Sequence, residues 1–309
     1  MPMRLDHVNC YVIDDGDHWT LVDTGMNTSK VRGLWDGLLA GPLNGKPIGR
    51  LVLTHHHPDH VGLLGWFKEQ GAEVWMTRYA YMAARMMTLD QPEQQPQEAV
   101  DFRLRAGQPP DEVADYAKEA PWRMPVWPIP LGFKVINDGD TLQMGGRDWK
   151  VHFGHGHAWD HATFWTDDVV LAGDQIIPGI SSNVGVWAME PEADTLSAWI
   201  ESCHRLRTVA SGTDPLILPG HKMPFRGVDF RLNQLIENHH GALRHIEKAL
   251  KEGPRTAAQL FVPIFLRDIK GSQYGLALAE AVAHMNHLYL AGRVDRALVG
   301  DAHVYSLRS

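Results

Sequence analysis

The sequence predicts an α/β protein, and two observations lead to that prediction. The first is a strand–loop–helix–strand pattern: an apolar run at 51–54 enters a polar loop, a helix runs to Gln70, and a strand follows at 73–76. The second is that histidine and aspartate side chains follow the ends of several apolar runs. Open α/β sheets place their sites at the carboxyl ends of strands. We therefore expect a site at one edge of a sheet.

Composition indicates a globular protein with a substantial core. Of the 309 residues, 44% are hydrophobic and 21% are charged. Apolar runs stay well below the ~20 residues that span a bilayer. Cys10 and Cys203 are the only cysteines, and residues 1–7 lack the apolar segment of a signal peptide. A cytoplasmic protein without a disulfide framework or a membrane association is therefore expected.

The first elements lead to an acid at a strand end. Strands are predicted at 8–13 and 19–22, followed by a helix at 28–39. Asp23 comes directly after the second strand and before Thr24-Gly25. An acid in this position either caps the turn or orients a neighbouring ligand, and spacing alone favours the cap.

The loop after the next strand is the centre of the prediction. His55, His57, Asp59 and His60 fall within six residues, and imidazole and carboxylate suit zinc and neighbouring divalent ions. On a turn, His55 and His57 can converge on one ion while Asp59 and His60 point at a second. The alternative is a solvated polar loop with an accidental run of histidines.

Three later turns repeat this design. Each places a glycine and a ligand-type side chain after an apolar strand, which is weak for one turn but favours a shared site when it recurs. The side chains are His155, His157 and His161 in the Gly-rich turn after 151–153, Asp174 after 169–173, and His221 after 216–220.

The order of these motifs resembles that of the metallo-β-lactamase superfamily. The match spans residues ~8–225, and the His-x-His-x-Asp-His run is its specific part. The resemblance implies an αββα sandwich with the site on one edge. It also implies the following roles: His55, His57 and His157 hold one metal, Asp59, His60 and His221 hold the other, Asp174 bridges them, and Asp23 is an orienting acid.

The third motif departs from the pattern of many relatives, which read Gly-His-Thr-Pro-Gly-His. Here the stretch is Gly-His-Ala-Trp-Asp-His, so His157 is kept and His161 occupies the position of the second histidine, interpreted as pocket-lining. A shifted register would make His155 the ligand instead. Trp159 alters the rim of the pocket, and Lys222 is either an anchor for an anionic substrate group or a solvated loop lysine.

The chemistry implied is hydrolysis. Two divalent ions, zinc by default with iron or manganese as alternatives, lower the pKa of bound water towards ~7, and the resulting bridging hydroxide attacks the substrate. Asp59 would ligate a metal and hold the hydrogen of this nucleophile. Redox di-iron relatives usually have an acid where His57 stands, so histidine favours hydrolysis.

Two regions lie outside the motifs. An insertion at about 77–128 contains methionines, Trp122 and Trp127; it either roofs an apolar pocket or is an ordinary packed excursion. The predicted domains are residues 1–228, catalytic, and 229–309. The latter has a helix–helix–helix–hairpin pattern that resembles the winged-helix appendage of one branch of the superfamily.

Charge argues against nucleic acid as a partner. Residues 229–309 have ten Lys/Arg and eight Asp/Glu, which gives a net charge of +2. Since the whole chain has a net charge of −8, residues 1–228 have a net charge of −10. The predicted recognition helix, 272–291, has no Lys or Arg, whereas phosphate contacts dominate nucleic-acid affinity. The tail is therefore expected to serve packing, closure or homodimerisation.

The function predicted is a dinuclear metal-dependent hydrolase of a small ester, thioester or lactone, similar to glyoxalase-II-like thioesterases, with β-lactam hydrolysis as a side activity. The first alternative is an endoribonuclease or phosphodiesterase of the same superfamily. The second is a metal-binding, DNA-binding regulator.

Overall fold

The computed structural model describes residues 6–308 of the chain. Most of the N-terminal stretch considered for a signal peptide lies outside these residues. The chain divides into two compact units: the first comprises the described residues up to Gln91, Arg123–Ser182 and Leu206–Arg231, and the second comprises Pro92–Trp122, Asn183–Arg205 and the described residues from Leu232. Because both units are discontinuous in sequence, the division into domains 1–228 and 229–309 stays a prediction.

The first unit contains two five-stranded sheets. In sheet order, the first sheet consists of β1 (Tyr11–Asp14), β2 (Trp19–Val22), β3 (Ile48–Val52), β4 (Glu73–Met76) and β5 (Lys134–Val135). The second consists, from one edge to the other, of β6 (Thr141–Met144), β7 (Arg147–Gly154), β8 (His161–Trp165), β9 (Val169–Gly173) and β10 (Leu216–Pro219). Strands β1 and β2 are antiparallel, as are β6 to β9, and the remaining neighbours are parallel.

The two faces of the first sheet bury different cores. Successive side chains of a strand point to opposite faces, so Leu21 of β2 packs in one apolar cluster and the adjacent Val22 packs in another. The cluster around Leu21 includes the helices of this unit, and the cluster around Val22 includes Phe164 and Leu171 of the second sheet. The sheets therefore face each other, with helices on the outer side of the first sheet.

Four helices belong to this layer and its loops. They are α1 (Ser29–Ala40), α2 (Pro58–Val61), α3 (Leu64–Glu69) and α4 (Arg78–Leu89). The hydroxyls of Thr28 and Thr77 cap α1 and α4, since each accepts a hydrogen bond from a backbone N–H of the first turn, which has no partner within the helix.

The second unit is mostly helical. Its elements are α5 (Gln97–Arg105), α6 (Pro110–Tyr116), most of α7 (Thr195–Val209) and α8 (Val228–Leu250), a 3₁₀ turn at Ala257–Leu260, α9 (Phe261–Phe265), a 3₁₀ turn at Gly271–Gln273, α10 (Tyr274–Leu290) and the hairpin β11 (Val294–Val299) with β12 (Ala302–Leu307). The predicted order of three helices and a hairpin is therefore present in the tail. Its identity as a winged helix stays a prediction.

A search of the helices within residues 6–308 finds no candidate for a membrane span.

Candidate metal centre

Parallel strand ends bring the ligand-type residues together. In the first sheet β2, β3 and β4 are parallel, so Asp23 and the loop at 53–57 lie at one edge. His55 and His57 are on this loop. Asp59 and His60 follow on α2, which Pro58 begins with a backbone angle suited to a first helical position.

The second sheet contributes from the matching strand ends. Strands β7, β9 and β10 run in the same direction, because β8 is antiparallel to both of its neighbours and β10 is parallel to β9. His157 follows β7, Asp174 follows β9 directly, and His221 follows β10.

Donor atoms of these side chains form two adjacent groups. In each group the donor atoms lie within 4.8 Å of one another: His55, His57 and His157 in the first, and Asp59, His60 and His221 in the second. Asp174 also groups with His55 and His60, one residue from each. The structure thus brings together all seven residues for which the resemblance implied a ligand role.

Asp174 contacts both groups through its two carboxylate oxygens. Oδ1 lies 3.4 Å from Nε2 of His60, and Oδ2 lies 3.5 Å from Nε2 of His157 and 3.4 Å from Nε2 of His221. Asp59 reaches the same space, with Oδ2 3.4 Å from Nε2 of His221. The carboxylate of Asp174 therefore lies between the two groups.

Asp23 orients one histidine in each group. Its Oδ2 accepts a hydrogen bond from Nδ1 of His60 at 2.7 Å and from the hydroxyl of Thr54 at 2.8 Å, and its Oδ1 accepts from the Thr54 N–H at 2.9 Å. Since the hydroxyl hydrogen of Thr54 is used, its oxygen accepts from Nδ1 of His55 at 3.0 Å. Both rings then direct Nε2, with its lone pair, at the centre.

His221 is oriented by the backbone and by glycine. Its Nδ1 donates to the carbonyl of His7 at 2.6 Å, which leaves Nε2 for the centre. A Cβ at Gly220 would lie 2.2 Å from Oδ1 of Asp174. Only glycine therefore fits between β10 and His221 without displacing this carboxylate.

The protonation states favour a cation at the centre. Burial, reinforced by neighbouring histidines, lowers the pKa of His55 and His57 well below the usual range, so both rings are neutral. Burial by itself would lower the pKa of His60, but the carboxylates of Asp174, Asp23 and Asp59 outweigh it and raise that pKa well above the usual range. The three carboxylates therefore stabilise positive charge at the position of His60, and a bound metal ion would supply such charge.

Unsatisfied buried atoms also fit a metal. Nε2 of His55, Nε2 of His60 and Oδ1 of Asp174 are buried without a hydrogen-bond partner in the part of the chain that the structure describes. Buried polar atoms are normally paired, because leaving one unpaired costs about 1–3 kcal/mol. Imidazole nitrogens and carboxylates are zinc ligands, so the residues present suit a divalent ion.

His161 requires a correction, because it is buried rather than pocket-lining. Its side chain has no exposed surface, its ring stacks on His55 at 4.5 Å between centroids, and its Nε2 accepts the backbone N–H of Asp174 at 3.0 Å. Burial lowers its pKa to about 3, so the ring is neutral and remains an acceptor. His161 thus contacts the backbone of Asp174 and the ring of His55.

Trp159, predicted for the pocket rim, and Lys222, predicted as an anchor or a solvated lysine, each lie next to a further histidine. Trp159 is partly buried, with its ring 5.5 Å from that of His155. His155 belongs to none of the donor groups among residues 6–308, which favours the register with His157. Lys222 has a left-handed backbone (φ 69°), and its N–H donates to Nε2 of His7 at 2.9 Å. Roles for Trp159 and Lys222 in substrate binding stay predictions.

Sequence reasoning missed the link through Thr54. A threonine directly before a histidine run is the only local indication of it, and the distance to Asp23 is a property of the fold.

Both interpretations of the insertion at 77–128 stay predictions. Trp127 packs by donating to Glu69 at 2.9 Å, whereas Trp122 is 61% exposed.

Comparison with protein families gives two matches. The model of the metallo-beta-lactamase superfamily matches residues 3–221, and that of the metallo-beta-lactamase-like C-terminal domain matches residues 243–308. The first match covers more than half of the chain and includes every residue of the centre. The predicted fold class is thereby confirmed.

Individual proteins agree with these matches. A beta-lactamase domain protein from Burkholderia ambifaria has a crystal structure that superposes with a TM-score of 0.86 at 34% identity, covering 100% of this chain and 89% of that one. A probable metallo-hydrolase from Bacillus subtilis is 24% identical over 93% of this chain and 89% of its own length. An atrochrysone carboxyl ACP thioesterase from Aspergillus fumigatus is 22% identical over 97% of this chain, which spans 58% of that relative.

Proposed function

Because the chain belongs to the metallo-beta-lactamase superfamily and is a metallo-hydrolase, we propose that it hydrolyses a small ester, thioester or lactone with two divalent ions, zinc first among them. The observation that carries this proposal is the position of Asp174 between two groups of donors. The thioesterase among its relatives supports the thioester as a substrate class.

In this proposal His55, His57 and His157 would hold one ion, Asp59, His60 and His221 would hold the other, and Asp174 would be shared between them. Such ions supply a water of lowered pKa as nucleophile and polarise the substrate carbonyl. The chain's own residues keep this apparatus in place. Asp23 and His161 are positioning residues, since they act through His60, Thr54 and the backbone of Asp174.

Asp59 is the group proposed to accept the hydrogen of the water nucleophile. Burial by itself would raise its pKa, but the charge of His60 and the contact with His221 outweigh burial and lower that pKa. The carboxylate is therefore ionised at neutral pH. Only one of its oxygens is engaged by His221 and His60, so the other can take the hydrogen.

The partners follow from the same reasoning. A small-molecule substrate is proposed and nucleic acid is not, because residues 1–228, which contain the centre, have a net charge of −10 and α10 has no Lys or Arg. A homodimer and a cytoplasmic location stay predictions.

The test combines metal analysis with a substrate panel of esters, thioesters, lactones, β-lactams, phosphodiesters and RNA. We expect thioester or ester turnover to fall at least ~10²-fold in His57→Ala and in His221→Ala, because each loses a metal ligand. Each variant should also lose one metal equivalent. His245→Ala, at an exposed histidine, is the matched control and should retain both the turnover and the metal content of the wild-type chain. Turnover of RNA or phosphodiesters alone would contradict the proposal.

A further inference from the structure

A separate cluster of metal-type side chains lies in the second unit. His239 of α8 and Glu280 and His284 of α10 have donor atoms within 4.8 Å of one another. Glu280 and His284 are four residues apart, so they lie on the same face of α10, one turn from each other. His239 comes from a helix that is distant in sequence. The cluster therefore joins α8 to α10.

The distance between the facing ring nitrogens of His239 and His284 matches that between two nitrogen ligands of one ion. Nδ1 of His239 and Nε2 of His284 are 3.3 Å apart. Two nitrogens bound tetrahedrally at 2.0–2.1 Å to zinc are separated by about 3.3 Å. Hydrogen bonds from N–H donors in proteins are usually shorter, at about 2.7–3.2 Å. The spacing of the facing nitrogens therefore fits a shared cation as well as a long hydrogen bond.

Neighbouring groups hold the donors in orientations that suit coordination. Nδ1 of His284 donates to the carbonyl of Glu280 at 2.8 Å, which fixes the tautomer with the lone pair on Nε2. The side-chain amide of Asn183 donates to Oε2 of Glu280 at 2.7 Å, so the other carboxylate oxygen remains for an ion. Hydrogen bonds of this kind support metal ligands in proteins.

The two histidines of the cluster are more deeply buried than the glutamate. His239 is 3% exposed and His284 is 1% exposed, whereas Glu280 is only partly buried. The two imidazoles are therefore shielded from water. Two nitrogens and one oxygen favour zinc and other borderline metals over magnesium or calcium.

We propose that His239, Glu280 and His284 bind one further divalent cation of the zinc class, in addition to those of the centre at the sheet edge. Three protein ligands leave a fourth position for water. The ion cross-links α8 and α10 and so stabilises the folded second unit, because it binds the folded chain and has no preformed site in the unfolded one.

The experiment compares zinc content in the full-length chain after removal of metal with a chelator, reloading with zinc chloride and dialysis. The variants are His239→Asn, which keeps an amide that can hydrogen-bond to His284, and Glu280→Gln, which keeps the shape and removes the charge. The control is His240→Asn, at the adjacent histidine of the same helix, whose side chain is 40% exposed.

We expect His239→Asn and Glu280→Gln each to lose one zinc equivalent relative to the wild-type chain, and His240→Asn to lose none. The rise in Tm that zinc produces should also be smaller in the first two variants. Wild-type zinc content in Glu280→Gln would overturn the proposal and leave a hydrogen bond between two histidines. An equal loss in His240→Asn would overturn it as well. If His239→Asn fails to fold, Glu280→Gln decides, because Glu280 is partly exposed and its amide still fits the site.

Discussion

Replacing Asp23 with asparagine is expected to weaken metal binding in both halves of the centre. Asp23 accepts hydrogen bonds from His60 at 2.7 Å and from the Thr54 hydroxyl at 2.8 Å, both at Oδ2. If an amide nitrogen takes that position, it is a donor facing two donors. His60 must then move its proton to Nε2, the atom that faces the centre, and Thr54 loses the contact that orients it towards His55.

The expected loss of metal affinity is about 10–100-fold, the range for groups that orient metal ligands. This corresponds to about 1.4–2.7 kcal/mol. The change is nearly isosteric, and the amide oxygen of the asparagine can still accept the Thr54 N–H, as Oδ1 of Asp23 does. The fold should therefore survive while binding weakens.

The assay is a competition titration of zinc against a chromophoric chelator, with circular dichroism as a check on folding. Thr54→Val and Thr54→Ser are matched companions. Valine removes the link from Asp23 to His55 and leaves the hydrogen bond from His60 to Asp23. The affinity for one of the two ions should therefore fall more than the affinity for the other. Serine keeps the hydroxyl and should behave as wild type. Zinc affinity of Asp23→Asn within twofold of the wild-type value would refute this reasoning.

Three further predictions concern glycine, a helix cap and a loop lysine. Gly220→Ala should lower turnover by about 10²-fold, because the new Cβ would meet Asp174 at 2.2 Å and a displacement of about 1 Å has that effect. The control is Gly33→Ala, whose Cβ meets nothing within 4 Å. Equal turnover in the two variants would contradict the steric account. Asp194→Ala should lower the free energy of unfolding by about 1 kcal/mol in urea denaturation, because Asp194 caps α7 by accepting the Ser197 N–H at 2.8 Å. Burial by itself would raise the pKa of Asp194, but the hydrogen bond from His287 helps to lower it. The difference in unfolding free energy between wild type and variant should therefore persist at neutral pH and shrink as pH falls through the lowered pKa, below 3.8. A difference that does not change with pH would show that the charge of Asp194 does not contribute. Lys222→Asn, which tolerates φ 69°, should raise KM for anionic thioesters but not for neutral ones, and equal changes would argue against an anchoring role.

The sequence predicted the strands of the site better than the elements around them. Strands at 19–22 and 73–76 agree with the structure, and the first helix differs by one residue at each end. The strand before the histidine loop lies at Ile48–Val52 rather than 51–54, because Leu53 is already on the loop although fully buried. Burial and apolar character do not by themselves distinguish a strand from the buried turn that follows it.

Two helices of the insertion, α5 and α6, were not predicted. Helix α5 has no buried residue, so its sequence lacks the apolar stripe that identifies an amphipathic helix. Helix α6 has only seven residues and one buried side chain, Val113. Their sequence was interpreted only as an insertion because the periodicity that predicts helices comes from burial against a core.

The sequence by itself determined the ligand-type residues of the centre. Four of them lie within six positions, and the others each follow an apolar strand and a glycine or histidine-rich turn, so the chemistry is encoded locally. Only the tertiary structure decided what lies around them: Asp23 orients two histidines rather than capping a turn, and His161 is buried and accepts the backbone N–H of Asp174 rather than lining a pocket. The same holds for the cluster of His239 and His284, 45 residues apart. Hydrogen bonds and burial depend on which strands and helices become neighbours, and this pairing has no local representation in the chain.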